Sequence, residues 1–182
     1  MTRSKSIHRP NLPLGEYRFV FHTMHPCETT QDLKLKMNLY LSKKTRNITE
    51  VKGNLTFLTP LDDSLIFDYN LSSWSLTGGW KPNSFVYIVN MACSKMKAIL
   101  GNCWTSLQKA FKIPTGNCPV PSGIYTTAGL DIKAIADDNK FPKIFYYGKY
   151  KLVAKLRNKE NKLLGCLSAE FDLVRPWEVP TN

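Results

Sequence analysis

Histidine is scarce in this 182-residue chain, with three copies, and the 14 acidic residues are outnumbered by 25 lysines and arginines. Two of the histidines fall in His22-Thr-Met-His25-Pro-Cys27, the one stretch that gathers metal-ligand types. Residues three apart in an extended strand point to opposite faces, so this trio does not converge on an ion, and no metal site is expected. The chain also lacks a nucleophile elbow, a P-loop, a dinucleotide glycine motif and a zinc-protease histidine pair. The adjacent acids Asp62-Asp63 and Asp137-Asp138 sit in turn contexts and read as solvated turn residues, not as an acid/base pair. The expectation is a non-enzyme without a cofactor. No apolar run approaches the roughly 20 residues that a membrane-crossing helix needs. Residues 1–16 are basic, carry Pro10 and Pro13, and hold no stretch of signal-peptide length, so they read as a flexible lead; a secreted form would have lost its signal.

What is present is apolar and aromatic: 43% hydrophobic residues, four Trp, eight Tyr and nine Phe, enough for one domain over 17–177 with a short tail at 178–182. Alternation of period two dominates. Leu33, Leu35, Met37, Leu39 and Leu41 share one strand face; residues 51–59 form a second strand; Leu65, Phe67, Tyr69 and Leu71 alternate in a third. Trp74 and Leu76 lead to the Gly78-Gly79 turn, and Phe85-Val-Tyr-Ile-Val89, apolar on both faces, reads as a central strand. Between Ser94 and Lys112 the period changes to 3.6, with Met96, Ile99, Leu100, Cys103, Trp104, Leu107, Ala110 and Phe111 on one face, predicting a helix broken at Gly101-Asn102. Strands resume over 124–132, 149–158 and 163–174. The pattern predicts a mostly β, antiparallel immunoglobulin-like sandwich or cup with a short helical insertion.

Leu, Ile and Val from two sheets already fill an ordinary sandwich, so the additional Trp and Phe content implies an apolar cavity. The expected lining is Trp74, Trp80, Phe85, Tyr87, Ile99, Leu100, Trp104, Leu107 and Phe111, with Phe141, Phe145 and Tyr147 at its mouth. The segment Phe141-Pro-Lys-Ile-Phe145-Tyr-Tyr147 reads either as a mouth loop or as a buried strand.

Five cysteines without a Cys-x-x-Cys pair favour disulfides over metal and leave one thiol over. Sequons at Asn47, Asn54 and Asn70 lean toward the same oxidising, glycosylating compartment.

An ordered series in the last third, Cys118-Pro119, Gly123-x-Tyr125, Pro142, Gly148-x-Tyr150 and Leu164-Gly165-Cys166, resembles the C-terminal half of ganglioside-activator-like lipid-recognition (ML) domains. Gly53-Asn54-Leu-Thr56, Gly79-Trp80-Lys-Pro82 and Ala92-Cys93 before the helix are similar to the insect Che-type chemosensory branch, over residues 17–177. The resemblance implies a β-cup holding an apolar ligand, in a secreted carrier of a lipid, pheromone or similar molecule. It also implies a Cys27 to Cys166 bridge and a second from Cys118 to Cys93 or Cys103, with Cys93 preferred and Cys103 left as the free thiol.

The net charge of +11 draws the surface toward anions. Lys34, Lys36, Lys149, Lys151, Lys155 and Arg157 lie along strand faces and Lys43-Lys44-Thr-Arg46 clusters in a turn, suited to transient contact with an anionic membrane surface. The alternative reading is a basic module for acidic glycan, membrane or nucleic acid, or a salivary or venom component on the same fold. Nucleic-acid readers interleave exposed aromatics with a basic stripe. Here the aromatics follow the inward periods, so a nucleic-acid partner is not expected and the carrier is preferred.

Overall fold

The computed structural model describes residues 12–114 and 116–178. Period-two segments become strands throughout. In chain order these are β1 (Leu14–Gly15), β2 (Arg18–Pro26), β3 (Leu35–Lys43), β4 (Thr49–Phe57), β5 (Ile66–Ser75), β6 (Gly79–Val89), β7 (Gly123–Asp131), β8 (Phe145–Tyr146), β9 (Gly148–Arg157) and β10 (Leu163–Val174). All pairings are antiparallel, in a five-stranded sheet of order β2-β10-β9-β5-β6, a three-stranded sheet β3-β4-β7 and a two-stranded ribbon β1-β8. The two larger sheets face each other as an antiparallel β-sandwich. Because residues 14 and 15 pair with β8, the fold begins before Tyr17, and the expected flexible lead ends earlier than Glu16; residues 1–11 lie outside the described residues.

The helical interval breaks where expected, into α1 (Ala92–Leu100) and α2 (Asn102–Ala110), with Gly101 between them at φ 56°. A Cβ at Gly101 would stand 3.0 Å from the Lys140 side chain, so a side chain there would meet both strain and crowding. The Asp62-Asp63 turn is more than solvated. Asp63 accepts hydrogen bonds from the Ser94 hydroxyl (2.5 Å) and the Ser94 amide (2.8 Å), which hold its carboxyl below the usual range and tie α1 to the turn before β5.

The sheets come close where β10 passes β3. A Cβ on Gly165 would lie 2.9 Å from the Leu35 carbonyl oxygen and 3.3 Å from the Met37 methyl, so only glycine permits that approach. The Cys27–Cys166 disulfide closes the same end, and Cys93–Cys118 ties α1 to the segment before β7. Inside this end Leu35, Val51, Phe57, Leu156, Ala169 and the helix residues Cys93, Trp104 and Phe111 form one buried cluster.

One expectation fails here. β6 is the edge of the five-stranded sheet, not a central strand. Phe85, Tyr87 and Val89 face inward with Leu71, Tyr69 and Phe67, but Val86 and Ile88 lie on the outer face, where no layer covers them and Ile88 is 61% exposed. Apolar residues on both faces therefore marked a bare outer face, not double burial.

Candidate ligand-binding site

Register defines what the five-stranded sheet presents inward. Phe67 and Leu156 pack into the closed cluster, and alternation places Tyr69, Leu71, Ala154, Leu152, Tyr150, Phe171 and Leu173 on the same face, farther from the Cys27–Cys166 end, with Ala169 of the closed cluster opposite Leu152. β2 adds Phe21 opposite Phe171 and Phe19 opposite Leu173. This second half is aromatic. Rings run from Tyr17 through Phe19, Phe21 and Phe171 to Tyr150, on to Phe145 and Phe85, and back through Tyr69 to Phe67 and Tyr87, with neighbouring centroids 5.2–6.3 Å apart. The line crosses all five strands, and most contacts are edge-on, the arrangement that the ring quadrupole favours.

Cover on this half is partial. Leu71, Tyr150, Phe171 and Leu173 are buried, forming a smaller cluster of their own, but Tyr69, Leu152, Ala154 and Tyr87 stay half-buried and Phe85 is 38% exposed, whereas Leu156, two residues beyond Ala154 on the same face, is 2% exposed. Desolvation pushes the Tyr69 hydroxyl up to about 12, with a smaller contribution from Tyr17. Two concavities, of about 500 Å³ beside Arg157 and Lys162 and about 370 Å³ beside Gln108 and Lys109, lie away from this face.

A strap crosses the end of the aromatic face. Leu14 and Gly15 pair with Tyr146 and Phe145; Tyr17 donates its hydroxyl to the Pro142 carbonyl (2.5 Å), Tyr147 to Glu16 (2.7 Å) and Tyr150 to Tyr146 (2.8 Å). The Arg175 guanidinium lies 4.4 Å from the Tyr147 ring centre and donates to the Leu12 carbonyl. Asn139 shapes the loop leading in: its amide nitrogen donates to the Ile135 and Ala136 carbonyls at the end of α3 (Lys133–Asp137), and its oxygen accepts from the Phe141 amide. Segment 141–147 is thus mostly loop, with one short strand at Phe145–Tyr146.

The expected lining residues separate into four groups, the fourth being the outward pair Trp74 and Trp80. Phe85, Tyr87, Phe141 and Phe145 belong to the inner aromatic line or its cover. Trp104 and Phe111 are filling of the closed cluster, the indole N–H of Trp104 donating to the Gly116 carbonyl, and Leu100 and Leu107 pack against that cluster; Ile99 is half-buried on α1. Tyr147 anchors the strap under Arg175.

Trp74 and Trp80 must be corrected. They pair across β5 and β6 on the outer face, rings 5.3 Å apart, beneath the ammonium groups of Lys149 and Lys151. Trp74 lies three residues past the inward Leu71, an odd step that turns it outward. Aromatics do therefore accompany lysines on this surface, contrary to the expectation that all follow the inward periods. The residues missed by sequence reasoning are Tyr17, Phe19, Phe21, Tyr150, Leu152 and Phe171, although the alternation Tyr17, Phe19, Phe21 was there to be read.

His22 is bonded to Asp172 (2.8 Å), His25 donates to the Pro26 carbonyl, and Cys27 is in its disulfide; no cluster of three metal-ligand types occurs among the described residues. Cys103 is free and buried, its thiol raised to about 11 by burial and, less, by Asp138. Asn47 is exposed in the β3–β4 turn; Asn54 accepts from Asn38 and Thr56, and Asn70 donates to Asn83, both on outer sheet faces. Two disulfides mark an oxidising environment, and no helix among the described residues is long and apolar enough to cross a membrane. No protein-family model and no curated protein matches the chain.

Proposed function

We propose that this protein is a secreted, non-catalytic carrier that holds a small apolar or lipid-like molecule between its two sheets, against the aromatic half of the five-stranded sheet. The observation that carries the reading is that incompletely covered aromatic line. A folded chain gains by burying apolar surface, and one that leaves part of an inward apolar face wet, here Tyr69, Tyr87, Leu152 and Phe85, gains further when a ligand completes the burial. Each methylene removed from water contributes about 0.8 kcal/mol before ordering costs, so a long acyl chain would be held firmly. Tyrosine hydroxyls at the strap give the mouth polar edges suited to an amphiphile's head. The resemblance to Che-type ML domains supports the same reading and puts pheromones, fatty acids and glycolipids among the candidate ligands. The disulfides and sequons support secretion.

Native mass spectrometry of protein purified from its own host tests the proposal. A co-purified apolar molecule, lost in the Ala154→Trp variant, is expected. Ligand-free protein whose thermal stability no lipid raises would overturn it.

A further inference from the structure

The turn between β5 and β6 carries Leu76, 97% exposed, the barest large apolar side chain among the described residues. It stands at the end of a paired hairpin, where Trp74 and Trp80 form a cross-strand pair and Trp74 is 46% exposed. Lys149 places its ammonium 5.3 Å from the Trp74 ring centre and 5.5 Å from that of Trp80, and Lys151 lies 5.4 Å from Trp80. Lys81, opposite Ser73, falls on the other face of the hairpin from the indoles. The acids beside these lysines on the outer face are Asp172 and Glu170 of β10; Asp172 is engaged by His22, and both lysines lean the other way, over the indoles.

Each layer of this tip matches a layer of a bilayer. A fully exposed leucine finds an apolar medium only in acyl chains, indoles favour the headgroup level, and lysines answer anionic headgroups. An acidic glycan fits less well. It would stack on indole faces that the ammonium groups already occupy, and Leu76 would offer it nothing. We propose that the β5–β6 hairpin is a membrane-docking tip, with Leu76 entering the acyl region, Trp74 and Trp80 at the interface and Lys149 and Lys151 against anionic lipid. This goes beyond the carrier reading and does not depend on what the inner face holds.

Co-sedimentation with phosphatidylcholine vesicles, with and without about one-third phosphatidylserine, tests it. Binding to the anionic vesicles that weakens with salt is expected, and Leu76→Asp should lower the partition coefficient at least about tenfold while leaving the fold intact, because Leu76 touches no core. Lys149→Gln with Lys151→Gln should remove the preference for phosphatidylserine. No vesicle binding, or full binding by Leu76→Asp, would overturn the proposal. So would heparin displacing the protein from vesicles while Leu76→Asp binds both equally, since the face would then read polyanions through charge alone.

Discussion

At the end closed by Cys27–Cys166, Leu35, Val51 and Leu156 are shut away between the sheets, whereas toward the other end Tyr69, Leu152 and Phe85 on the same inward face keep contact with solvent. The strands are continuous; the side chains change. The closed half is mostly aliphatic and is drawn tight by Gly165 against Leu35 and by helices α1 and α2. The more open half is aromatic and buries only the small cluster Leu71, Tyr150, Phe171 and Leu173, while Tyr69 beside it can tolerate water at one edge and present a ring face inward. One sheet thus supplies the stability of the fold at one end and, on the proposed reading, the surface offered to a ligand at the other.

The strongest way to break the contrast is to release the closed end. Replacing Cys27 and Cys166 by serine opens a loop of 139 residues and should cost about 5 kcal/mol in denaturant unfolding, against about 3.5 kcal/mol for the 25-residue Cys93–Cys118 loop. Equal costs would mean that loop length is not what these bridges contribute.

Side-chain truncation compares the halves directly. Leu156→Ala should destabilise by about 3 kcal/mol, while Phe85→Ala, at a solvent-touching site, should cost about 1 kcal/mol despite removing more atoms. Reversed values would show that the aromatic half is the true core. Ala154→Trp sharpens the comparison further, because it fills the space before the open half. It should weaken binding of a fluorescent fatty acid at least about tenfold, with stability changed by less than about 1 kcal/mol.

The smallest effect is a pH dependence. Below pH 10 Tyr69 is protonated whether folded or not and contributes no slope. Between 10 and about 12 the unfolded chain releases a proton that the folded one keeps, so stability falls as pH rises. The loss should stay under about 1 kcal/mol by about pH 10.5 and shrink in Tyr69→Phe. A slope unchanged in that variant would place the buried phenol elsewhere.

Much of this was legible in the chain. Period-two runs located β3, β4, β5, β7, β9 and β10 within a few residues but not β2, Gly101 marked the helix break, and the family likeness implied the cysteine pairing that the geometry contains. Less legible was which inward residue meets the closed cluster and which stays part-exposed: a 3.6 period turned Trp104 and Phe111 inward, but only the packing of α2 put them in the closed cluster. Sheet order was hidden as well, since nothing local distinguishes a central strand from an edge such as β6 with a bare outer face. The outward turn of Trp74 could have been read, because it breaks the Phe67, Tyr69, Leu71 alternation.

The most direct test of an apolar ligand resting on the open half is paramagnetic broadening by a chain-nitroxide stearic acid, read in the NMR spectrum of the whole protein. The account predicts selective loss of signals from Leu152, Ala154 and Tyr69, with those of Val86 and Ile88 on the outer face unaffected. Broadening confined to the outer face, or none at saturating stearate, would contradict it.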